Sequence, residues 1–226
     1  PGNCDHEFVM TVTKEPTYTE DGIATYTCSK CGGTKGNQKI DNAGFYDEND
    51  KLVVLWDDSG IDIEKDYTST TYKSDTTSGY SVMNNGFTTA KKVVLPDGIT
   101  KLGNLAFEGC TNLTDITLKN NLKDIGDNVF SDCRNLTALN IPNSVTSIGN
   151  YMINGCDNLK TLTIGSGITE LSTYHFANCN GLKSVTIPKT ITNFAGPAFY
   201  GCEGLETVNI EDGVTGIGRS AFDGCA

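Results

Sequence analysis

The chain has 226 residues, of which 37% are hydrophobic, and its formal net charge is −11. An acidic chain without a basic cluster is a poor partner for nucleic acid or for an anionic membrane surface. No apolar run approaches the ~18 residues of a membrane-spanning helix, so we expect no direct membrane insertion. The sequence shows no signal peptide, lipobox or anchoring tail, and we expect a leader to have been removed.

Residues 1–43 contain two pairs of candidate metal ligands. Cys4 and His6 form a C-x-H pair, and Cys28 and Cys31 form a C-x-x-C pair followed by Gly32. Two such pairs separated by a strand-like hairpin supply the four ligands of a tetrahedral Cys₃His zinc site. A mini-domain of about 40 residues normally needs such a staple, because its own core is small. The sequence therefore predicts a zinc-ribbon-like β module.

Two alternatives to zinc remain open for these cysteines. An extracellular setting permits a disulfide, either Cys28–Cys31 or Cys4 with one of them, and the third alternative is unmodified thiols. Three Cys and one His leave no open coordination position, so a bound metal would be structural and would not take part in catalysis.

Residues 44–91 separate this module from the rest of the chain. The stretch from Gly44 to Trp56 predicts a strand, a polar turn and a second strand, and the polar residues 67–81 predict a loop. A solenoid requires a cap over the open edge of its first coil, and we interpret this segment as that cap.

A 23-residue period governs residues 92–226. Apolar residues that recur at fixed offsets can be buried together only when successive coils stack and each column becomes a continuous ladder. The sequence therefore predicts a solenoid of five complete coils and a truncated sixth. The period is clearest in the cysteines Cys110, Cys133, Cys156, Cys179, Cys202 and Cys225.

Each coil contains recognisable local signals. The segment Leu159–Ile164 alternates with period two and predicts a strand, which stacking would place in a parallel sheet with a spacing of about 4.8 Å. The segment Gly149–Cys156 predicts a short helical turn on the opposite side, which makes the fold an α/β repeat. Gly, Asn or Asp precedes each of the six cysteines and also follows each of the first five two residues later. These residue types indicate positive φ at one or both positions.

The ladder cysteines are predicted to be buried thiols. Equivalent side chains in a ladder point the same way, which fits poorly with the near-perpendicular torsion of a disulfide. Unoxidised Cys is also among the most buried residue types. No His or carboxylate column accompanies the cysteines, so a ladder of metal ligands is not expected.

The repeat pattern, with [LI]-P-x-x-[VI]-T near its start and A-F-x-G-C-x-N-L near its end, resembles the BspA-like, Treponema-type leucine-rich repeat from Lys92 to Ala226. The resemblance implies a right-handed solenoid of 23-residue coils with parallel strands on its concave side. It also implies a secreted or surface-attached bacterial protein of a kind often proposed as an adhesin. The N-terminal segment is similar to C-x-H…C-x-x-C-G modules that accompany repeats in secreted proteins of gut Firmicutes.

The inventory of catalytic groups argues against an enzyme. His6 is assigned to the metal, and His175 replaces the Ala of its column, so we expect a tolerated surface substitution on the rim of the solenoid. No nucleophile accompanies it, and no phosphate-binding Gly loop or hydrolase motif is present.

We therefore expect a non-catalytic binding module that presents its strand face to a protein or a glycan. Tyr151 and Tyr174 stand in one column and are the best exposed aromatic candidates, although ordinary packing between coils would explain them equally well. The alternative function is a rigid spacer within a longer surface protein. The exposed strand positions predicted to form the binding surface are Thr117, Asn140, Thr163, Thr186 and Asn209.

Overall fold

The structure is a computed structural model that describes residues 8–14, 22–40, 44–46, 52–55, 91–95, 99–172 and 174–225. Every regular element in these ranges is a β-strand. The first five strands are β1 (Phe8–Lys14), β2 (Gly22–Cys28), β3 (Thr34–Ile40), β4 (Gly44–Tyr46) and β5 (Leu52–Leu55). The strands of the repeat region are β6 (Lys92–Val94), β7 (Lys101–Leu102), β8 (Asp115–Thr117), β9 (Asp124–Ile125), β10 (Ala138–Asn140), β11 (Ser147–Ile148), β12 (Ile153–Asn154), β13 (Thr161–Thr163), β14 (Glu170–Leu171), β15 (Phe176–Ala177), β16 (Ser184–Ile187), β17 (Asn193–Phe194) and β18 (Thr207–Ile210).

The N-terminal strands form an antiparallel sheet in the order β1-β2-β3. Strand β1 pairs with β2 so that Phe8 lies opposite Cys28 and Thr11 opposite Thr25. Strands β2 and β3 are joined by the turn that carries the C-x-x-C pair. The β content of the predicted N-terminal module is therefore present, and its division from the cap at residue 43 remains a prediction.

Strand β4 adjoins the first strand of the repeat region. It pairs antiparallel with β6, with Phe45 opposite Val93, and on its other edge it pairs with β5. Strand β6 in turn pairs in parallel with β8, one repeat further along the chain. An antiparallel strand therefore occupies the edge of the first solenoid strand, where an open ladder would otherwise expose unpaired backbone groups.

The repeat region is a parallel-strand solenoid whose coils stack with an offset of one repeat. Leu139 lies opposite Leu162, Ile125 opposite Ile148 and Ile153 opposite Phe176, each pair 23 residues apart. These three pairings belong to three separate parallel ladders, formed by β10 with β13, by β9 with β11 and by β12 with β15. The predicted solenoid with parallel strands is confirmed.

The core consists of the predicted apolar columns. Leu136, Leu159 and Leu182 are fully buried in one column, and Phe107 and Phe130 stack in another with ring centroids 5.6 Å apart. The stack continues through Phe176, Phe199 and Phe222 beyond the single interruption at Ile153. Because each rung is buried by the coils on both sides, no coil can bury its apolar residues alone.

The predicted helical turn over Gly149–Cys156 is wrong. The segment contains the two-residue strand β12, and no helix occurs anywhere in the ranges that the structure describes. Tyr151 and Gly155 both adopt a left-handed backbone, with φ of 50° and 70°, which interrupts helical hydrogen bonding. The amide groups here bond to the next coil instead, as Ile153 N–H donates to the His175 carbonyl at 2.9 Å.

Most of the left-handed residues in the repeat region fall in two columns, of which the sequence reveals one. The column immediately before each cysteine has positive φ at every position, as predicted: Gly109, Asp132, Gly155, Asn178, Gly201 and Gly224. The column two residues after each cysteine contains no residue with positive φ. Its glycines are needed for space, since a Cβ at Gly204 would lie 2.0 Å from the Asn180 carbonyl oxygen. The second left-handed column contains Leu105, Asn128, Tyr151, Tyr174 and Ser220.

Replacing Gly155 with Ala tests the left-handed column. We expect a loss of about 1–2 kcal/mol in the free energy of unfolding, because an L-residue is disfavoured at this φ. The added Cβ would meet only the Asp132 side chain, at 3.2 Å, so backbone strain dominates. Thr163→Ala, at an exposed strand position, is the matched control and should change stability by less than about 0.5 kcal/mol. Urea unfolding measures both, and equal losses would contradict the assignment.

Candidate functional site

The predicted strand surface is present and faces solvent. Thr117, Asn140, Thr163, Thr186 and Asn209 are all exposed, while the residue before each of them is directed into the core. Side chains alternate between the two faces of a strand, so these five form one outward column with one member per coil. We call this column and the one beside it, at Asp115, Ala138, Thr161, Ser184 and Thr207, the strand face.

The strand face is mostly polar and nearly uncharged. Its ten positions carry short side chains, of which one is apolar (Ala138), one is charged (Asp115) and none is aromatic. The ion pair between Lys183 Nζ and Glu206 Oε1, 3.0 Å long, lies at its margin, and each side chain is 65% exposed. An ion pair this exposed adds little to stability. The surface therefore offers hydroxyl and amide groups at regular intervals and lacks an aromatic anchor.

Tyr151 and Tyr174 pack between coils and also remain half exposed. Their rings stack with centroids 4.9 Å apart and planes 4° from parallel. Tyr200, which is 41% exposed, meets Tyr174 edge-on at 5.4 Å. We call these three residues the tyrosine row. The facing sides of the Tyr151 and Tyr174 rings therefore cover each other.

The ladder cysteines are buried thiols, as predicted, apart from the half-buried Cys225. Most share one hydrogen bond: the Sγ–H group donates to the carbonyl of the residue 26 positions earlier. Cys133 donates to Phe107 and Cys156 to Phe130, both at 3.1 Å. Burial raises the pKa of the Cys110 and Cys156 thiols to about 12. Thiols of this kind do not act as nucleophiles at neutral pH.

Cys28 and Cys31 lie at the turn that ends β2. Cys28 is buried and Cys31 exposed, and the Cys28 N–H group donates to the Gly33 carbonyl at 2.8 Å. Cys4 and His6, the other two predicted ligands, lie outside the described residues. No group of three potential metal ligands occurs within the part of the chain that the structure describes. The four-ligand set therefore stays a prediction.

The sequence pattern of the BspA type leucine-rich repeat region matches residues 80–205 and 170–226, in six copies. The chain belongs to this family. The match begins twelve residues before the period becomes regular at Lys92, within the segment interpreted as the cap. It does not extend to the N-terminal cysteines, and the similarity of that segment to modules in Firmicutes proteins stays a prediction.

Solved structures of bacterial leucine-rich repeat proteins resemble this member of the BspA-type family. A Treponema pallidum leucine-rich repeat protein is 29% identical with a TM-score of 0.52, over 56% of this chain and 60% of that one. A Bacteroides ovatus leucine-rich repeat protein is 20% identical with a TM-score of 0.52, over 100% of this chain and 57% of that one. The chain thus spans less than two thirds of their length. No curated protein matches it.

His175 is buried, so the expectation of a surface substitution is wrong. Only 4% of the residue is exposed, because its column, shared with Val129 and Met152, points inward in this BspA-type coil. The Ser172 N–H group donates to His175 Nδ1 at 3.2 Å. Burial lowers the pKa of His175 to about 4, against a smaller opposing effect of Asp127. The ring is therefore neutral at pH 7.

The described residues contain no helix long and apolar enough to cross a membrane. Sequence reasoning missed one residue of the tyrosine row, Tyr200, which does not belong to the column of Tyr151 and Tyr174.

The burial of His175 predicts a pH dependence of stability. Between the ordinary pKa of 6.5 and the folded pKa of about 4, the unfolded chain binds a proton that the folded chain does not. Stability should therefore fall as pH falls through this window, by up to about 3 kcal/mol. His175→Met, which copies Met152 of the preceding coil, should remove this part of the dependence. Urea unfolding from pH 7 to 4 measures it, and parallel curves for the two proteins would contradict the prediction.

Proposed function

We propose that this chain is a non-catalytic binding module of a secreted or cell-surface bacterial protein, and that its strand face contacts a protein or a glycan. The observation that carries the proposal is the strand face itself, in which two outward columns continue coil after coil on stacked strands that pair in parallel as β6 with β8, β10 with β13 and β16 with β18. The location follows from the resemblance to BspA-like proteins, and an adhesin role is one form that such binding could take.

Catalysis finds no support among the described residues. His175 is buried and neutral, and burial raises the pKa of the Cys110 and Cys156 thiols. A general base must reach a substrate proton, and a thiol nucleophile must ionise. His175 and these two thiols do not meet these requirements, so we assign them a structural role.

The strand face is suited to binding because it is rigid before a ligand arrives. Hydrogen bonds between neighbouring coils hold its borders, as Thr137 Oγ1–H donates to the Thr114 carbonyl at 3.3 Å and Asn180 Nδ2 donates to Asp157 Oδ1 at 3.0 Å. A surface that is already ordered loses less conformational entropy on association. A row of hydroxyl and amide groups can accept and donate hydrogen bonds along an extended polar ligand.

A bulky substitution on the strand face should abolish binding without unfolding the coil. The probes are a microarray of defined glycans and a panel of immobilised extracellular-matrix proteins. Thr163→Arg places a long charged side chain at the centre of the face, and we expect at least a tenfold loss of binding. Thr169→Arg, which is equally exposed but lies outside the strand face, is the matched control and should bind as the unmodified chain does.

The alternative function, a rigid spacer, gives the opposite result. A spacer would bind none of the probes, or Thr163→Arg and Thr169→Arg would change binding equally. The tyrosine row is tested in the same assay with Tyr151→Ser. If this variant loses binding and Thr163→Arg does not, the contact surface is the tyrosine row and not the strand face.

We also propose a structural zinc ion held by Cys4, His6, Cys28 and Cys31. The pairing of Phe8 with Cys28 in the N-terminal sheet supports this zinc site. His6 and Cys4 precede Phe8 by two and four residues, so they are within chain reach of Cys28 at about 3.3 Å per residue. The turn after Cys28 has the form of a metal knuckle. Gly32 adopts φ of 70°, and a Cβ at Gly33 would lie 3.4 Å from Cys31 Sγ.

Elemental analysis of the purified chain tests the zinc site. We expect about one zinc per chain, because structural sites bind tightly. Cys28→Ser should lose the metal, whereas Cys156→Ser, which alters an equally buried cysteine of the ladder, should retain it. Less than about 0.2 zinc per chain, a level far below tight binding, would contradict the proposal and favour the disulfide or unmodified thiols.

A further inference from the structure

Two Asn-Gly pairs occur in the coils that the structure describes, Asn154-Gly155 and Asn180-Gly181. At such a pair the glycine amide nitrogen can attack the side-chain carbonyl carbon of the asparagine, because glycine has no Cβ to obstruct the approach and permits unusual backbone angles. The attack closes a succinimide ring, which requires the backbone of the pair to leave its folded conformation. Whether a pair reacts in the folded chain therefore depends on what holds it.

The pair Asn154-Gly155 is held at both residues. Asn154 lies in β12 opposite Ala177 of β15, and its Oδ1 accepts a hydrogen bond from Asn178 Nδ2 at 2.8 Å. The Gly155 N–H group donates to the Ala177 carbonyl at 3.2 Å. The attacking nitrogen and the attacked side chain are thus both bonded to the next coil, so reaction requires the two coils to separate locally.

The pair Asn180-Gly181 lies in a turn outside the strands, and Asn180 is exposed. Among the described residues, no backbone carbonyl accepts a hydrogen bond from the N–H group of Asn180 or of Gly181. In earlier coils the equivalent groups are bonded, as Arg134 N–H donates to the Asp132 carbonyl at 2.8 Å and Asn158 N–H to the Arg134 carbonyl at 3.2 Å. The backbone of this pair is therefore less restrained than in those coils.

One hydrogen bond holds the Asn180 side chain, since its Nδ2 donates to Asp157 Oδ1 at 3.0 Å. Both residues are exposed, so water can replace either partner and the net contribution of the bond is small. Once this bond opens, the Asn180 side chain can turn toward the nitrogen of the next residue. The attack is thus a local event within one turn, whereas at Asn154 it breaks the pairing of two coils.

We infer that Asn180 is a site of spontaneous deamidation in the folded chain. The Gly181 nitrogen gives up its proton and bonds to Asn180 Cγ, and the side-chain nitrogen takes up a proton and leaves as ammonia. Water then opens the succinimide ring. Breaking the bond from nitrogen to Cγ leaves aspartate, and breaking the bond from nitrogen to the backbone carbonyl carbon leaves isoaspartate. No oxidant or reductant takes part.

Either product disturbs the contact between two coils at the border of the strand face. Aspartate places a carboxylate opposite Asp157 where an amide donor had been, and like charges directly opposite each other are destabilising. Isoaspartate also lengthens the main chain by a methylene group. The turn has no space for it, because Gly181 packs so closely on the preceding coil that a Cβ would collide with the Asp157 carbonyl oxygen.

Peptide mapping of the full chain by mass spectrometry tests this inference. The protein is incubated under native conditions in mildly alkaline buffer and digested at acidic pH, so that no reaction occurs during handling. We expect the mass gain of an NH2-to-OH exchange at Asn180, with a yield at least about tenfold that at Asn154, which strand pairing protects. Asn158, which is equally exposed but precedes Leu159, should stay unmodified.

Variants at Asn180 connect the modification to stability. During the same incubation the thermal midpoint of the unmodified chain should fall by several degrees as product accumulates, and that of Asn180→Ser should stay constant. Asn180→Asp introduces the carboxylate without the additional methylene. Its midpoint should therefore lie between those of the fresh and the fully deamidated chain.

Two outcomes would overturn the inference. One is an equal yield at Asn180 and Asn154 in folded protein, which would mean that the different restraint of the two pairs has no effect. The other is the absence of product at Asn180 over a period in which the urea-unfolded chain reacts at both pairs. A third pair, Asn85-Gly86, lies outside the described residues and is scored separately in the peptide map.

Discussion

The whole repeat region depends on hydrogen bonds that run from each coil to the next with an offset of one repeat. Such bonds need the coils to approach closely at fixed points. A Cβ at Gly149 would lie 2.4 Å from the Asp127 amide nitrogen, and one at Gly165 would lie 2.3 Å from the Pro142 carbonyl oxygen. Because neighbouring coils interlock at these points, every residue is stacked on the residue one repeat earlier. A substitution is therefore felt in its own coil and in the coils on either side.

This interlocking explains why two departures from the column pattern have different effects. His175 enters an inward column and is accommodated by burial and by a hydrogen bond from Ser172, and the consequence is a depressed pKa. Ile153 shortens the aromatic stack, and the backbone forms a strand pair at that rung. The backbone hydrogen bonds at this rung match those of the other coils, since Ile153 N–H donates to the His175 carbonyl as Phe130 N–H donates to the Met152 carbonyl. The ladder thus accommodates a change in side-chain size at one rung without a change in its backbone bonding.

The same architecture separates structural from functional positions. Inward columns are occupied by residues that pack, including the ladder cysteines, and burial raises the pKa of the Cys110 and Cys156 thiols. Outward columns on the strand are free of packing constraints, and their short polar side chains repeat without being needed by the core. Binding by such a surface would draw on many weak contacts in a fixed array, which differs from a hot spot centred on one aromatic residue. The residues of the tyrosine row both pack between coils and face solvent, so they are partly structural and partly available for binding.

The sequence by itself determined the solenoid, because apolar residues 23 apart have no other way to be buried together. It also determined the exposed strand column, the buried thiols and the left-handed column before each cysteine, where Gly, Asn and Asp mark the backbone. Only the tertiary structure decided the second left-handed column, since Leu105 and Tyr151 carry no compositional signal for positive φ. It also decided the absence of a helix in the described coils and the burial of His175. These features follow from contacts between coils, and a period read along one chain shows which residues stack but not which way each side chain turns.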